Sequence, residues 1–207
     1  MKKIVLALTF GFLFSCGNKK DVLLPKSDRS VVTEVVDHSP IYIFFKMEGT
    51  DTIADVNRKN SIISTNWLVN IDKRLPLALA IPEVIKLQEK KRKEKAHKNE
   101  KAENYYSYAD SIGKNLAFIP FTYVYYKMER PTTNATVYFR KNNAILINGI
   151  AIEKKELAEK LAILFKEDHE TLILGFDKHL DFGSYIQYKV ILEKYINSST
   201  AAEEFIY

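Results

Sequence analysis

The sequence predicts an α+β fold, with helices packed on one face of mixed sheets. Short apolar or alternating runs bounded by turn residues recur along the chain and are typical of strands, whereas residues 153–168 carry apolar side chains at helical spacing. The composition, 46% hydrophobic and 28% charged, excludes a disordered chain or a coiled-coil rod. A chain of 207 residues is long enough to bury a core without disulfides or metal.

The first fifteen residues have the pattern of a signal peptide. Lys2 and Lys3 precede an uncharged run at residues 4–15. As a helix this run would be about 18 Å long, which is too short to cross a hydrocarbon core about 30 Å thick. We therefore expect residues 1–15 to be an export leader rather than a transmembrane helix.

Cys16 follows this leader and is the only cysteine in the chain. The sequence Leu13-Phe14-Ser15-Cys16 resembles the lipobox of bacterial lipoproteins. The resemblance implies cleavage before Cys16, a palmitate-type lipid anchor on that residue, and a periplasm-facing location on a membrane of the bacterial cell envelope. A plain signal peptide is the alternative. A single cysteine also excludes an internal disulfide and any multi-cysteine metal site.

Residues 16–39 are predicted to be a tether, because prolines and serines punctuate them. An N-terminal α+β region follows at residues 40–130. A helix is expected there with Pro82 in its first turn. Strands are expected at residues 41–45 and 52–56, which form a hairpin, and at residues 67–71 and 121–128.

The predicted helix becomes strongly basic over residues 86–101. A basic patch for nucleic acid or anionic lipid is one interpretation. Glu–Lys pairs four residues apart favour a solvated helix face instead, and we expect no nucleic-acid partner. The 3–4 spacing of later apolar residues predicts that the helix continues, with a packing face formed by Ala102, Tyr105, Ala109, Ile112 and Leu116.

Residues 131–207 are predicted to form a C-terminal β-β-α-β-α-(β) unit. If its middle helix lies on the sheet, Leu161 and Ile173 are both buried. The expected elements are strands at residues 136–140, 144–152 (with Asn148-Gly149 inside) and 171–176, helices at 153–168 and from a cap at Asp181 or Ser184 to about residue 195, and a final edge strand at 203–207.

Residues 136–195 resemble the periplasmic domain of the ExbD/TolR family of biopolymer-transport proteins. The matching pieces are a hairpin with Ile147-Asn148-Gly149, a helix opening with Lys155-Glu156-Leu157, and a strand Leu172-Ile173-Leu174 followed by Asp177-Lys178. The resemblance implies a non-enzymatic partner of a proton-driven inner-membrane complex. The family carries a membrane-embedded aspartate on a transmembrane helix before this domain, and its proton-carrying role is not transferred to any residue here.

The leader and this resemblance together predict a lipid-anchored envelope binding protein associated with a transport or energy-transducing membrane complex. It is expected not to be an enzyme and to hold no cofactor. A structural envelope lipoprotein with no transport link is one alternative, and a metal-binding hydrolase is another.

A metal site is the strongest catalytic candidate in the sequence. Asp177, His179 and Asp181 alternate along the chain and could present two oxygens and a nitrogen on one side. We expect instead that Asp177 and its counterpart Asp72 accept backbone N–H groups at turns. The sequence therefore predicts no metal site.

The partner surface is expected at sheet edges, because an extended partner segment can add a strand there. Residues 136–140 and 203–207 are short, apolar enough to pair and free of proline. The predicted partner-binding residues, for an envelope protein or for self-association, are Val137, Phe139, Phe205 and Ile206.

The sequence also echoes itself at an offset of 105 residues. Asp72-Lys73-Arg74-Leu75 matches Asp177-Lys178-His179-Leu180 at three positions, and at the same offset Ile81 matches Ile186 and Leu87 matches Leu192. These matches suggest a degenerate tandem repeat whose first copy lacks the middle helix.

Overall fold

The computed structural model describes residues 21–96, 99–134, 136–167, 172–196 and 202–207. The predicted signal peptide at residues 1–15 and Cys16 lie outside the described residues. Among the described helices, none is long and apolar enough to cross a membrane. The elements are β1 (Lys26–Ser27), β2 (His38–Glu48), β3 (Asp51–Asn57), β4 (Asn66–Ile71), α1 (Leu77–Lys93), β5 (Asn104–Asp110), β6 (Asn115–Pro120), β7 (Val124–Lys127), β8 (Val137–Phe139), β9 (Ile145–Ile147), β10 (Ile150–Ile152), α2 (Leu157–Glu167), β11 (Leu174–Phe176), α3 (Phe182–Leu192) and β12 (Ala202–Ile206).

The first sheet is built from β1 to β6. β2 and β3 form an antiparallel hairpin closed by Gly49, whose φ of 62° is in the left-handed region that favours glycine. β2 pairs in parallel with β4, and β4 in parallel with β5. β6 is antiparallel to β5, and β1 pairs with the last two residues of β5.

The second sheet has the order β10-β9-β8-β11-β12-β7. β8, β9 and β10 are antiparallel neighbours, while β11, β12 and β7 continue in parallel from β8. Asn148 and Gly149 connect β9 to β10 with φ angles of 49° and 82°. Positive φ at both residues is what a two-residue type I′ turn requires. The single strand predicted over residues 144–152 is therefore a hairpin.

The two sheets repeat one strand plan, in which a hairpin is followed by a parallel strand, a helix and another parallel strand. The order β3-β2-β4-β5 in the first sheet corresponds to β9-β8-β11-β12 in the second. α2 and β10 lie where the first half has only residues 58–65, so the predicted absence of the middle helix from the first copy is confirmed. The matched apolar residues are all buried: Leu75, Leu180, Ile81, Ile186, Leu87 and Leu192.

One hydrophobic core joins both halves and confirms the α+β class. α3 has eight of its eleven residues buried. Its Tyr185 contacts Tyr106 of the first sheet, with ring centroids 6.4 Å apart, and Phe176 of the second sheet, with centroids 5.0 Å apart. α3 therefore lies between the two sheets, which explains why it is apolar around most of its surface.

α2 lies where the sequence predicts the middle helix. It follows a 3₁₀ turn, and Glu153 and Glu156 close its entry with a reciprocal capping box. Leu161 is fully buried, as predicted. Ile173 is only half-buried, because it alternates with the core-facing Leu174 and its side chain lies on the opposite face of the sheet.

Residues 21–37, which we call the N-terminal segment, pack against the first sheet rather than forming the predicted tether. Val32 and Phe118 exchange two backbone hydrogen bonds of 3.0 and 2.9 Å. Val35 packs on Leu68 and Phe118 in a small second core. Val32 and Val35 thus cover the outer face of the sheet.

Residues 104–110 and 115–120 are paired strands rather than a continuation of the helix. Tyr106 and Tyr108 alternate into the core and are fully buried, whereas Ile112, on the predicted packing face, is 74% exposed at the turn. Pairing between β5 and β6 outweighs the helical spacing. α1 also begins at Leu77 and contains Pro82, which the sequence places in the first turn.

Candidate functional site

The two strands predicted as partner-binding edges lie inside the second sheet. β8 is between β9 and β11, and β12 is between β11 and β7. Val137, Phe139 and Ile206 face the core and are at most 1% exposed. Phe205 is half-buried on the opposite face. The edge prediction for these strands is wrong, because β9, β10 and β7 supply outer strands that cover them.

The two outer strands of this sheet are β7, which pairs with β12, and β10, which pairs among the described residues with β9 alone. Ile150 is 71% exposed. Residues flanking a two-residue turn form a hydrogen-bonded pair, and such pairs alternate with non-hydrogen-bonded ones. Ile147 and Ile150 flank the turn, so Ala151 directs its N–H and C=O away from β9. These two groups are available to another strand.

A shallow depression of about 440 Å³ adjoins this edge on the outer face of the sheet. Ala151, Leu146 and Tyr138 are in register across β10, β9 and β8 and share that face. A strand added to β10 would continue this row and place alternate side chains on the same face of the sheet as the depression. The depression is lined by Asn134, Tyr138, Leu146, Asn148, Gly149 and Tyr207.

The predicted metal-ligating residues are engaged in turns and a helix cap. Asp177 accepts the His179 N–H at 2.8 Å, and Asp72 accepts the Arg74 N–H at 3.0 Å, which confirms the predicted turn role. Asp181 caps α3 by accepting the Ser184 N–H at 2.8 Å. Over the described ranges, no group of three or more His, Cys, Asp or Glu residues is placed to hold a metal ion.

Asp72 also attaches the N-terminal segment to the body. Its carboxylate is fully buried, and it accepts the Leu23 N–H at 3.2 Å and two guanidinium bonds from Arg74 at 2.8 and 2.7 Å. Burial alone raises the pKa of this carboxyl, but the Arg74 side chain and the two backbone N–H groups outweigh burial and hold the pKa below its usual value.

The two equivalent turns pair with each other around a local pseudo-twofold axis. The Leu77 N–H donates to the Leu180 carbonyl at 2.9 Å, and the equivalent Phe182 N–H donates to the Leu75 carbonyl at 2.8 Å. A second matched pair of bonds runs from Ala78 to Lys178 and from Gly183 to Lys73, at 2.7 and 3.0 Å. The sequence echo therefore marks the place where the two halves are joined.

A buried polar cluster lies close to this junction. The hydroxyls of Tyr106, Tyr126 and Tyr185 form a chain with distances of 2.7 and 3.1 Å, and Tyr185 donates to Glu204 at 2.7 Å. Lys189 pairs with Glu204 at 2.5 Å. Burial raises the pKa of all three tyrosines well above the ordinary value. Sequence analysis missed this cluster, because its members come from β5, β7, α3 and β12.

A second cavity, of about 210 Å³, lies beside the basic half of α1. Lys91 is buried there and donates to the Thr65 and Glu103 carbonyls and the Asn104 side chain at 2.9 to 3.1 Å. Burial lowers the pKa of Lys91 to about 8. Because all three ammonium protons are used within the protein, Lys91 has no free donor for a ligand.

Comparisons with family models, with curated proteins and with solved structures found no match to this chain. The open edge thus rests on the geometry alone. The sequence carries one signal that locates it, since Asn148-Gly149 between alternating apolar residues is typical of a hairpin.

Proposed function

We propose that this protein is a lipid-anchored envelope binding protein that acts beside a transport or energy-transducing membrane complex and binds an extended segment of a partner protein along β10. The lipobox-like sequence at Cys16 supports the anchor, and the likeness of residues 136–195 to the ExbD/TolR periplasmic domain supports the complex. The observation that carries the binding role is the exposed, uncharged β10 edge beside an aromatic depression.

β10 has the properties of a strand that accepts another strand. Its outward backbone groups at Ala151 supply main-chain hydrogen bonds to the partner. The depression on the same face can accept some partner side chains better than others, which gives specificity. β3, at the outer edge of the first sheet, carries Asp51 and Asp55, whose charges oppose pairing. β10 has neither charge nor proline. A lipid anchor holds the edge near membrane proteins, where effective concentration compensates for a short interface.

A photo-crosslinking residue at Ile150 in the full chain, expressed in bacterial cells, tests the proposal. We expect an adduct with an envelope protein from position 150 and none from Ile112, a matched isoleucine that is 74% exposed on a turn of the other sheet. Ala151→Pro removes the outward N–H without removing a ladder bond, so it should reduce the adduct several-fold.

Three results contradict the proposal: equal adducts from positions 150 and 112, an adduct that Ala151→Pro leaves unchanged, or an adduct whose mass is that of two copies of this chain.

Cys16→Ala tests the anchor separately. That variant should leave the membrane fraction or retain its leader, and equal incorporation of a fatty-acid analogue into variant and wild type would refute lipidation at Cys16.

A further inference from the structure

The point where the N-terminal segment enters the body sets the orientation of an anchored molecule. Leu23 donates to Asp72 at 3.2 Å, and its carbonyl accepts the Lys73 N–H at 2.8 Å. Pro25 then accepts the Ala109 N–H at 2.9 Å. The chain is therefore fixed to the body from Leu23 onward, at the turn between β4 and α1.

The distance between a lipid on Cys16 and this turn is limited by the chain. Leu23 is the seventh residue after Cys16, and a fully extended chain spans at most about 25 Å over seven residues. α1 starts beside this turn and runs about 25 Å from Leu77 to Lys93. The Leu77 end of α1 thus always lies within reach of this chain, whereas the Lys93 end can lie about twice as far from the lipid.

The end of the molecule near Leu23 carries an excess of positive charge. Lys26, Lys73 and Arg74 line one surface depression, and Lys154 lines the neighbouring one, which also contains Lys26. These four cations face three carboxylates, Asp28, Asp72 and Asp181, of which Asp72 is fully buried. In the sequence between Cys16 and this surface, Lys19 and Lys20 add two positive charges and Asp21 adds one negative charge.

Building on the lipid anchor of the proposed function, we propose that the surface formed by Lys26, Lys73, Arg74 and Lys154 rests on anionic phospholipid headgroups. The basic half of α1 then faces away from the bilayer. The anchor brings the first surface to the membrane, and the attraction of its cations to anionic headgroups selects this face. The proposed orientation thus gives different roles to the Lys26 surface and to the basic half of α1, which the sequence alone does not distinguish.

Fluorescence quenching on lipidated protein tests this orientation. Cys16 is the only cysteine and its thiol carries the lipid, so an introduced cysteine is the only thiol open to a fluorophore. The full chain is labelled through Lys26→Cys or through Lys90→Cys, which is exposed on α1. Each form is inserted into vesicles of phosphatidylethanolamine and phosphatidylglycerol containing a headgroup nitroxide lipid. We expect quenching at least threefold stronger at position 26 than at position 90.

Charge reversals show whether headgroup charge selects the face. With the label at position 26, Lys73→Glu together with Lys154→Glu should lower quenching to the level found in neutral phosphatidylcholine vesicles. The matched double change Lys90→Glu and Lys93→Glu should leave it unaltered. Equal quenching at both label positions, or equal effects of the two double changes, overturns the orientation while the anchor stands. Protein that does not float with vesicles refutes the anchor itself, and the orientation with it.

Discussion

Lys189 and Glu204 form an ion pair that is almost completely removed from water, with the two residues 5% and 0% exposed. A buried pair of this kind gains little over apolar packing, but loss of one partner leaves the other charge without compensation. Here the Glu204 carboxylate also accepts the Tyr185 hydroxyl, which extends the network to both sheets. Nothing local in the sequence marks this pair, because its members lie 15 residues apart on different elements.

Replacing Glu204 by glutamine should destabilise the protein strongly, because the Lys189 ammonium then stays buried without a counter-charge. We expect a loss of about 3–5 kcal/mol in the free energy of unfolding, measured in urea. Glu203→Gln is the matched control, since Glu203 is the preceding residue on β12 and forms an exposed pair with Lys127 at 3.4 Å. It should cost less than about 1 kcal/mol. Similar losses in both variants would contradict the role given to Glu204.

Lys91 gives the protein a specific pH dependence. Its folded pKa is about 8, whereas an unfolded lysine keeps its proton up to about pH 10.4. Just above pH 8 the unfolded state binds more protons at Lys91, so stability should rise from pH 8 to about pH 9, by at most about 1.4 kcal/mol per pH unit. Nearer pH 10 the buried tyrosines oppose this rise, because their raised pKa means that they ionise first in the unfolded state. Urea unfolding at several pH values measures this rise.

The control for Lys91 is its exposed neighbour. The rise should disappear in Lys91→Met and persist in Lys90→Met, because Lys90 lies in solvent. A wild-type protein whose stability between pH 8 and about pH 9 changes no more than that of Lys91→Met would show that Lys91 stays protonated in the folded state.

At the scale of single elements, local sequence patterns predict structure where the contacts within a segment are enough to determine its conformation. The hairpin of β2 and β3 is predicted from apolar runs around a glycine turn, and α2 from its apolar face. Residues 102–116 show the limit. Tyr105 and Ala109 fit helical spacing, while Tyr106 and Tyr108 alternate equally well, and only pairing with β6 decides between the two. The same holds for β8 and β12, because each has one neighbour in the sheet from a distant part of the chain, β11 beside β8 and β7 beside β12.

Leu161 tests the packing of α2. Its side chain is fully buried, so Leu161→Ala should cost about 2–5 kcal/mol. Ile163 lies on the same helix but is 41% exposed, and Ile163→Ala should cost much less. Thermal unfolding compares the two variants with wild type. A Leu161→Ala protein that melts within a degree or two of wild type would refute the packing of this helix on the core.

At the scale of the whole molecule, the two repeats behave as one body. They share a core, and the paired turns at Leu75 and Leu180 exchange backbone hydrogen bonds across the pseudo-twofold axis. The sequence reveals the repeat through a few identities around Asp72 and Asp177, but not that these turns touch. Such a contact depends on how two complete sheets pack, which no local pattern encodes.

Cooperative unfolding follows from this arrangement. Trp67 is the only tryptophan and lies in β4 of the first half, whereas Leu180 is fully buried in the second. Leu180→Ala should therefore lower the urea midpoint seen by Trp67 fluorescence as much as the midpoint seen by far-UV circular dichroism. Ile112→Ala, at an exposed turn, should move neither. Separate transitions for the two probes would mean that the halves unfold independently.

The N-terminal segment imposes an order of events on biosynthesis. Leu23 bonds to Asp72, which is synthesised 49 residues later. The Arg29 carbonyl accepts from Tyr108, 79 residues later, and the Arg29 side chain donates to the Val190 carbonyl, 161 residues later. Contacts between such distant residues form late, because loop closure delays them. The N-terminal segment therefore cannot complete its contacts with the rest of the protein until almost the whole chain has been made.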